Sequence, residues 1–479
     1  MKRVFCFLLT LAVLPAPFLL GGCQKDEEPR SKYTIDAEYA DGVLEAVLDL
    51  SYYNDTDTEM QKLSFNLYGN AYREGSAFSP VSSAFSAAAY YDGKSYGGME
   101  IASVSPCASY AIEGQDENVL SVTLQESVSP GKRADLRIEY SLKLADIEHR
   151  TGVARHAVNL GNFYPVLCVA DEEGNFYECE YYSNGDPFYS ECADYSVTLT
   201  ADSDYTVAAS GKTVSAQVTQ TSKTQEFSLK NARDFALVLG TEFSVLESDG
   251  SGTAISYYYY DDENAAETLT LIENAVAFFG KTFGAYPYET FAAVQTGFCY
   301  GGMEYPGLVM LSDALSEKDY MYTAVHETAH QWWYAAVGNN QLEEGWLDEG
   351  LAEYSTACFF DAYPQYSLTR AQLVDGARSA YKAFCSVEAQ LFGGADTTMD
   401  RKLCDYKEYE YVNIAYNKGM LLFDTLRDAV GDSKFFAGLR RYYSSNAGKI
   451  ACEEDLIAAF ANAGAAGVIR SFVDGEAII

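Results

Sequence analysis

The sequence predicts a multidomain chain. An N-terminal all-β saddle or sandwich is expected over residues 33–247, followed by an α+β, mainly helical unit over residues 248–479. Three observations carry this expectation. A length of 479 residues suggests two or three cores at about 150 residues each. Short runs in the front half alternate apolar and polar residues with a period of two, as half-buried strands do. Behind Asp249-Gly250-Ser251-Gly252 the apolar spacing becomes helical.

Taken in order, Lys2 and Arg3 precede an apolar run over residues 4–20, which leads into Leu20-Gly21-Gly22-Cys23. A basic start, an apolar stretch and small residues at the cut describe a secretory signal over residues 1–22. The run is barely long enough for a membrane span, and Pro15 and Pro17 argue against one. A cysteine directly after small residues resembles the lipobox of bacterial lipoproteins. That resemblance implies cleavage before Cys23, acylation of Cys23 and a membrane anchor at the cell surface or outer membrane. Residues 23–32 are polar and charged, as a flexible tether should be.

The β unit is expected from runs at 42–50, 118–124, 134–144 and 195–200. Turn clusters such as Ser129-Pro130-Gly131, Ser183-Asn184-Gly185-Asp186-Pro187 and Ser210-Gly211-Lys212 divide them. Tyr257 to Tyr260 fit one exposed or interfacial strand. Beyond the joint, Leu269, Ile272, Ala275, Val276 and Phe279 recur at helical spacing, and helical patterns dominate after Tyr320. No later stretch is apolar enough to span a bilayer.

The balance of 33 basic against 69 acidic residues gives a net charge of −36, which phosphate backbones would repel, so nucleic acid is excluded as a partner. Nine cysteines lie beyond Cys6 and Cys23 with no C-x-x-C pair, so a structural zinc knuckle is not expected. Their pairing stays open.

The chemistry gathers at His326-Glu327-Thr328-Ala329-His330, which holds two of the chain's four histidines. Residues four apart share a helix face, so both imidazoles can reach one ion. Glu327 sits about 100° round the helix, where its carboxylate can serve a water on that ion. His149 and His156 read as surface or core histidines. A metzincin would continue with ligand and glycine positions that are here Trp333 and Ala336, so that class is excluded. The third ligand must be a later carboxylate, with Glu343, Glu344, Glu349 and Glu353 as candidates. Glu349 follows His330 with eighteen residues between. Glu353, one turn on, can accept a hydrogen bond from the far nitrogen of a ligating histidine. Glu343, Glu344 and Asp348 read as solvated charge.

The spacing His326-Glu327-x-x-His330, then Glu349 within Trp346-Leu347-Asp348-Glu349-Gly350, resembles the M1 aminopeptidases, gluzincins with a thermolysin-like catalytic domain. Gly301-Gly302-Met303-Glu304-Tyr305 is similar to the family's G-x-M-E-N exopeptidase motif, and Tyr416-Asn417-Lys418-Gly419 to its Y-E-K-G segment. The resemblance implies one Zn²⁺ held by His326, His330 and Glu349, with Glu327 as general base and Tyr416 stabilising the tetrahedral intermediate. It also implies peptide substrates, contacted along Gly301, Gly302 and Met303, with their free amino end at Glu304. Tyr305 and Asn417 depart from the pattern. The Q-x-E segment that supplies a second amine-binding residue is not recognisable, and residues 159–165, in its approximate place, offer no carboxylate. Amine recognition is therefore expected to be weaker. An endopeptidase or broad peptidase on the same zinc site, or a catalytically silent surface-binding protein, stay as alternatives. A short form lacking the large C-terminal helical domain, with a more open cleft, is also expected.

Overall fold

The computed structural model describes residues 29–250 and 252–479. The expected signal, Cys23 and most of the 23–32 tether lie outside the described residues. The front unit is built on a seven-stranded sheet. Its order in space is Lys212–Val218, Ser222–Ala232, Ala193–Asp202, Lys32–Ala40, Val43–Tyr53, Arg133–Lys143 and Gly98–Ser105. Lys32–Ala40 runs parallel to Ala193–Asp202, and the other neighbours are antiparallel. The period-two pattern decides the faces. In Lys32–Ala40, Tyr33, Ile35, Ala37 and Tyr39 are buried and the residues between them are exposed. That inner face meets a second sheet, ordered Val166–Leu167, Met60–Asn66, Val119–Val128 and Ser109–Glu113. Ile35, Leu48 and Ile138 share one core with Leu63, Phe65, Leu120 and Val122, each side chain contributing about 1.5–3 kcal/mol by leaving water. Each of the four expected strand runs falls on one of these strands to within one residue.

A small sheet of Thr206–Ala209, Leu237–Gly240, Val158–Leu160 and Thr151–Val153 continues the same core into the back unit. Its Val158, Leu160 and Leu237 cluster with Val294, Met303 and Tyr305. The back unit carries a five-stranded sheet ordered Ser244–Ser248, Ala254–Tyr259, Thr290–Thr296, Leu308–Ser312 and Gly302–Met303. Ser244–Ser248 pairs with Ala254–Tyr259 across the glycine-containing turn expected as the joint. Of the two alternatives for the tyrosine run, the interfacial strand is the one observed, with Tyr258 against the front core and Tyr257 and Tyr259 against the back one. It has neighbours on both sides, and Tyr257 is wholly buried with its hydroxyl donating to Asp262.

Among the helices of this unit are α1 (Ala265–Thr282), α2 (Glu317–Ala329), α3 (Trp346–Ala362), α4 (Arg370–Phe392) and α5 (Gly419–Val430). The predicted stripe of α1 faces inward, with Leu269, Ile272, Ala275, Val276 and Phe279 buried. Ser316 caps α2, accepting a hydrogen bond from Asp319 N. Among the described residues, no helix is long and apolar enough to cross a membrane.

Candidate active site

The buried end of one helix and the buried start of another set the site. The last turn of α2 carries His326 and Glu327, and His330 caps its C-terminus. The first turn of α3 carries Asp348 and Glu349, buried along with most of that helix. His326 Nε2 and His330 Nε2 are 3.1 Å apart, and Glu349 Oε2 lies 3.4 Å and 3.3 Å from them. A tetrahedral ion with bonds of about 2.0–2.2 Å holds its ligands about 3.3–3.5 Å apart, so the three atoms fit around one.

The outer contacts of the imidazoles agree. His330 Nδ1 lies 2.9 Å from Trp333 O. A carbonyl only accepts, so Nδ1 carries the hydrogen and Nε2 is turned to the common point. His326 Nδ1 lies 3.2 Å from Glu353 Oε1, and Glu353 Oε2 accepts from Tyr322 at 2.6 Å, as a carboxylate orienting a ligand histidine should.

Without an ion the cluster can only share protons. Burial opposes a charged His330, but Glu304 and the adjoining Glu349 push its pKa up to about 10. Burial would raise Glu349, yet the two histidines hold it down to about 2. A metal ion would take the place of those protons.

Glu327 sits beside this point, 5% exposed, with Oε2 unpartnered. Burial pushes its pKa up to about 7, against the pull of His326 and His330. Gly302 makes room for it, since a Cβ there would collide with the Glu327 side chain. This glycine therefore serves Glu327 as well as the edge strand. Gly301 has no such constraint, its nearest neighbour being Thr323 at 3.5 Å. Both glycines line a cavity of about 700 Å³, along with His326, Glu327, Glu353, Tyr322 and Tyr416.

Tyr416 stands on a π-helical turn, Val412–Lys418, a form common at functional sites. Its ring stacks on His326 with centroids 6.1 Å apart, and its hydroxyl donates to Glu349 Oε1. Burial holds its pKa well above the ordinary phenol value, so it remains a donor.

Other expected site residues are placed differently. Met303 is wholly buried, its Sδ accepting from Arg150 Nε at 3.1 Å, and it does not line the cavity. Glu304 is 3% exposed and lies behind the cavity wall, where Gln341 Nε2 donates to its Oε1 at 3.1 Å. Burial, with nearby Asp186, raises its pKa well above the usual carboxylate range. Asp348 is not solvated charge. It is 2% exposed and accepts from Asn339 at 2.9 Å and Gln341 at 2.7 Å, because the first turn of α3 is covered on all sides. Glu343 is a surface group, bonded to Tyr177 and Lys402.

Residues 159–165 provide no carboxylate to the site, but they seat the motif. Tyr305 donates to Asn162 Oδ1 at 2.9 Å, and Asn162 Nδ2 donates to Asp234 at 2.6 Å. Gly161 is required because a Cβ would overlap the Tyr305 hydroxyl.

An acid outside that segment faces the cavity. Asp186 lines the cavity, is 7% exposed, and is paired with the buried Arg150. Arg150 also lies over the rings of Phe188 and Tyr300. The sequence signal at Ser183 to Pro187 was that of a turn, and nothing in it marks Asp186 as facing a cavity.

A profile described as the peptidase family M1 domain matches residues 267–475. Endoplasmic reticulum aminopeptidase 1 of Homo sapiens is 25% identical over 240 residues, covering 46% of this chain and 24% of that protein. Leucine aminopeptidase 2 of Candida albicans is 34% identical over 87 residues, 17% of this chain and 14% of that protein. The chain thus spans a quarter or less of these relatives. An M1 zinc metallopeptidase from Deinococcus radiodurans superposes with a TM-score of 0.65 at 16% identity, covering 94% of each chain. That likeness establishes a shared two-unit fold.

Proposed function

With residues 267–475 belonging to peptidase family M1, we propose that the protein is a zinc-dependent aminopeptidase that releases N-terminal residues from peptides. The observation that carries the proposal is the convergence of His326 Nε2, His330 Nε2 and Glu349 Oε2 at 3.1–3.4 Å, next to the unpartnered Glu327. Zinc held by these three residues would supply Lewis acidity, acidifying the attacking water and drawing charge from the scissile carbonyl.

The chain's own groups account for the remaining steps. Glu327 takes the proton of the attacking water on its free carboxylate oxygen and passes it to the leaving amine. Tyr416 turns its hydroxyl from Glu349 to the developing oxyanion, a contact of the kind worth roughly 3 kcal/mol. Asp186, fixed by Arg150, lines the cavity, and it and Glu304 behind the wall are the carboxyl groups this chain offers to a free ammonium group. Gly301 and Gly302 leave an edge strand along which an extended peptide can lie.

Glu327→Gln should retain one zinc by elemental analysis and lose about three orders of magnitude in kcat. Free peptides should be cut and their N-acetylated forms spared; equal cleavage of both would favour an endopeptidase. Anchoring through an acylated Cys23 at the cell surface or outer membrane belongs to the same proposal, supported by the signal-like sequence of residues 1–23. Loss of fatty-acid labelling and of detergent-phase partition in Cys23→Ala is the expected result.

A further inference from the structure

Glu304, His330 and Asp348 offer ligand atoms that all lie within 4.8 Å of one another, and all three residues are buried. Such a triad invites a second cation, but the contacts of His330 argue otherwise. Its Nδ1 is engaged with Trp333 O, and its Nε2 faces His326 and Glu349. No nitrogen is left for another ion, and the two acids meet an amide instead. Gln341, 2% exposed, opens a single helical turn, Gln341–Glu344, capped by Asn340. Its Nε2 lies 3.1 Å from Glu304 Oε1 and 2.7 Å from Asp348 Oδ2. An amide nitrogen has two hydrogens, so each is committed to a different carboxyl group.

The two acids belong to different parts of the site. Asp348 directly precedes the metal-facing Glu349 on α3, and Glu304 follows the edge strand Gly302–Met303. The Gln341 amide is thus a hydrogen-bonded link between the helix that carries the third metal ligand and the acid next to the amine end. Asp348 has an independent support in Asn339 Nδ2 at 2.9 Å. The donor that the structure gives Glu304 is Gln341.

We propose that Gln341 is a positioning residue that sets Glu304 relative to the metal ligands and so governs recognition of the substrate's amino terminus. This rests on the aminopeptidase reading above. Losing Gln341 removes a hydrogen bond to a buried carboxyl group and leaves Glu304 to reorient, while Asn339 still holds Asp348. The effect should fall on binding of the free amine and spare the metal and the chemical step.

The test compares Gln341→Met, similar in length and without a donor, with Glu304→Gln in the zinc-loaded full chain. For substrates with a free α-amino group, Gln341→Met should raise KM about tenfold, the scale of one bond to an ionisable group. Its kcat should stay within about twofold, its zinc content should be unchanged, and the low turnover of an N-acetylated control should not move. In the Glu304→Gln background the same substitution should add little, because the two residues act as a unit. Should the methionine variant fail to fold, Gln341→Leu, likewise without a donor, carries the same expectation. A parallel loss of kcat and zinc, or an unchanged KM where Glu304→Gln raises it, overturns the inference alone. An unchanged KM in Glu304→Gln itself overturns the amine-anchor reading beneath it.

Discussion

Alanine at position 302 would place its Cβ 2.6 Å from both Cδ and Cγ of Glu327, and closer still to Oε1. The backbone at Gly302 lies outside the left-handed region, so alanine brings no torsional strain and the collision is the whole perturbation. Restoring an ordinary carbon–carbon separation of about 3.6 Å requires the glutamate to retreat by about 1 Å. A misplacement of that size costs about 10²-fold in rate, or about 2.7 kcal/mol of transition-state stabilisation. The assay is steady-state hydrolysis of an aminoacyl anilide, alongside zinc content and melting temperature. The expected Gly302→Ala variant holds its metal, melts within a few degrees of the parent and turns over about a hundredfold more slowly with KM little changed. A kcat within threefold of the parent would refute the idea that this glycine exists to seat Glu327.

Other consequences are equally accessible. Tyr416→Phe should lower kcat by about 10²-fold without loss of zinc, measured on the same substrate, since one oxyanion donor is removed. Glu353→Ala frees the Nδ1 side of His326 and should weaken zinc affinity about 10–100-fold, read by competition with a chelator. Asp234 is fully buried, and burial raises its pKa to about 7, against hydrogen bonds from Tyr164, Phe235 N and Asn162. Its folded pKa lies above the unfolded value of 3.8, so the folded state keeps a proton that the unfolded chain has already lost. Its contribution to stability is full below about pH 4 and is lost as pH rises to about 7, a total of about 4 kcal/mol at most. Urea titrations between pH 5 and 8 should show this decline, flattened in Asp234→Asn.

The residues that sequence made visible are those whose partners are set by a local period. His326, Glu327 and His330 are brought together by one helical turn, and the strands of the front unit by simple alternation, so neither needs distant information. Glu349 was legible because its spacing matches a known pattern, and α3 does bring it to the histidines. What escaped depends on contacts that no local period encodes. Asp186 sits in a turn of small polar residues and acquires its setting from Arg150, 36 positions away. Asp348 looked like surface charge because a carboxylate in a first helical turn commonly is. Its burial follows from Asn339 and Gln341 folding over it. Glu304 was expected to face the substrate, and only three dimensions reveal the amide that holds it back.

The wide turn at Val412–Lys418 gives the phenol of Tyr416 a dependence on chain count as well as on identity. A π-helical turn accommodates one residue more than the regular helix on either side of it. Deleting a single residue between 412 and 415 would let the segment relax into continuous α-helix and swing position 416 by roughly 100°, away from the metal-facing carboxylate. A one-residue length change there would thus silence the tyrosine as completely as replacing it, with every catalytic side chain still in the chain.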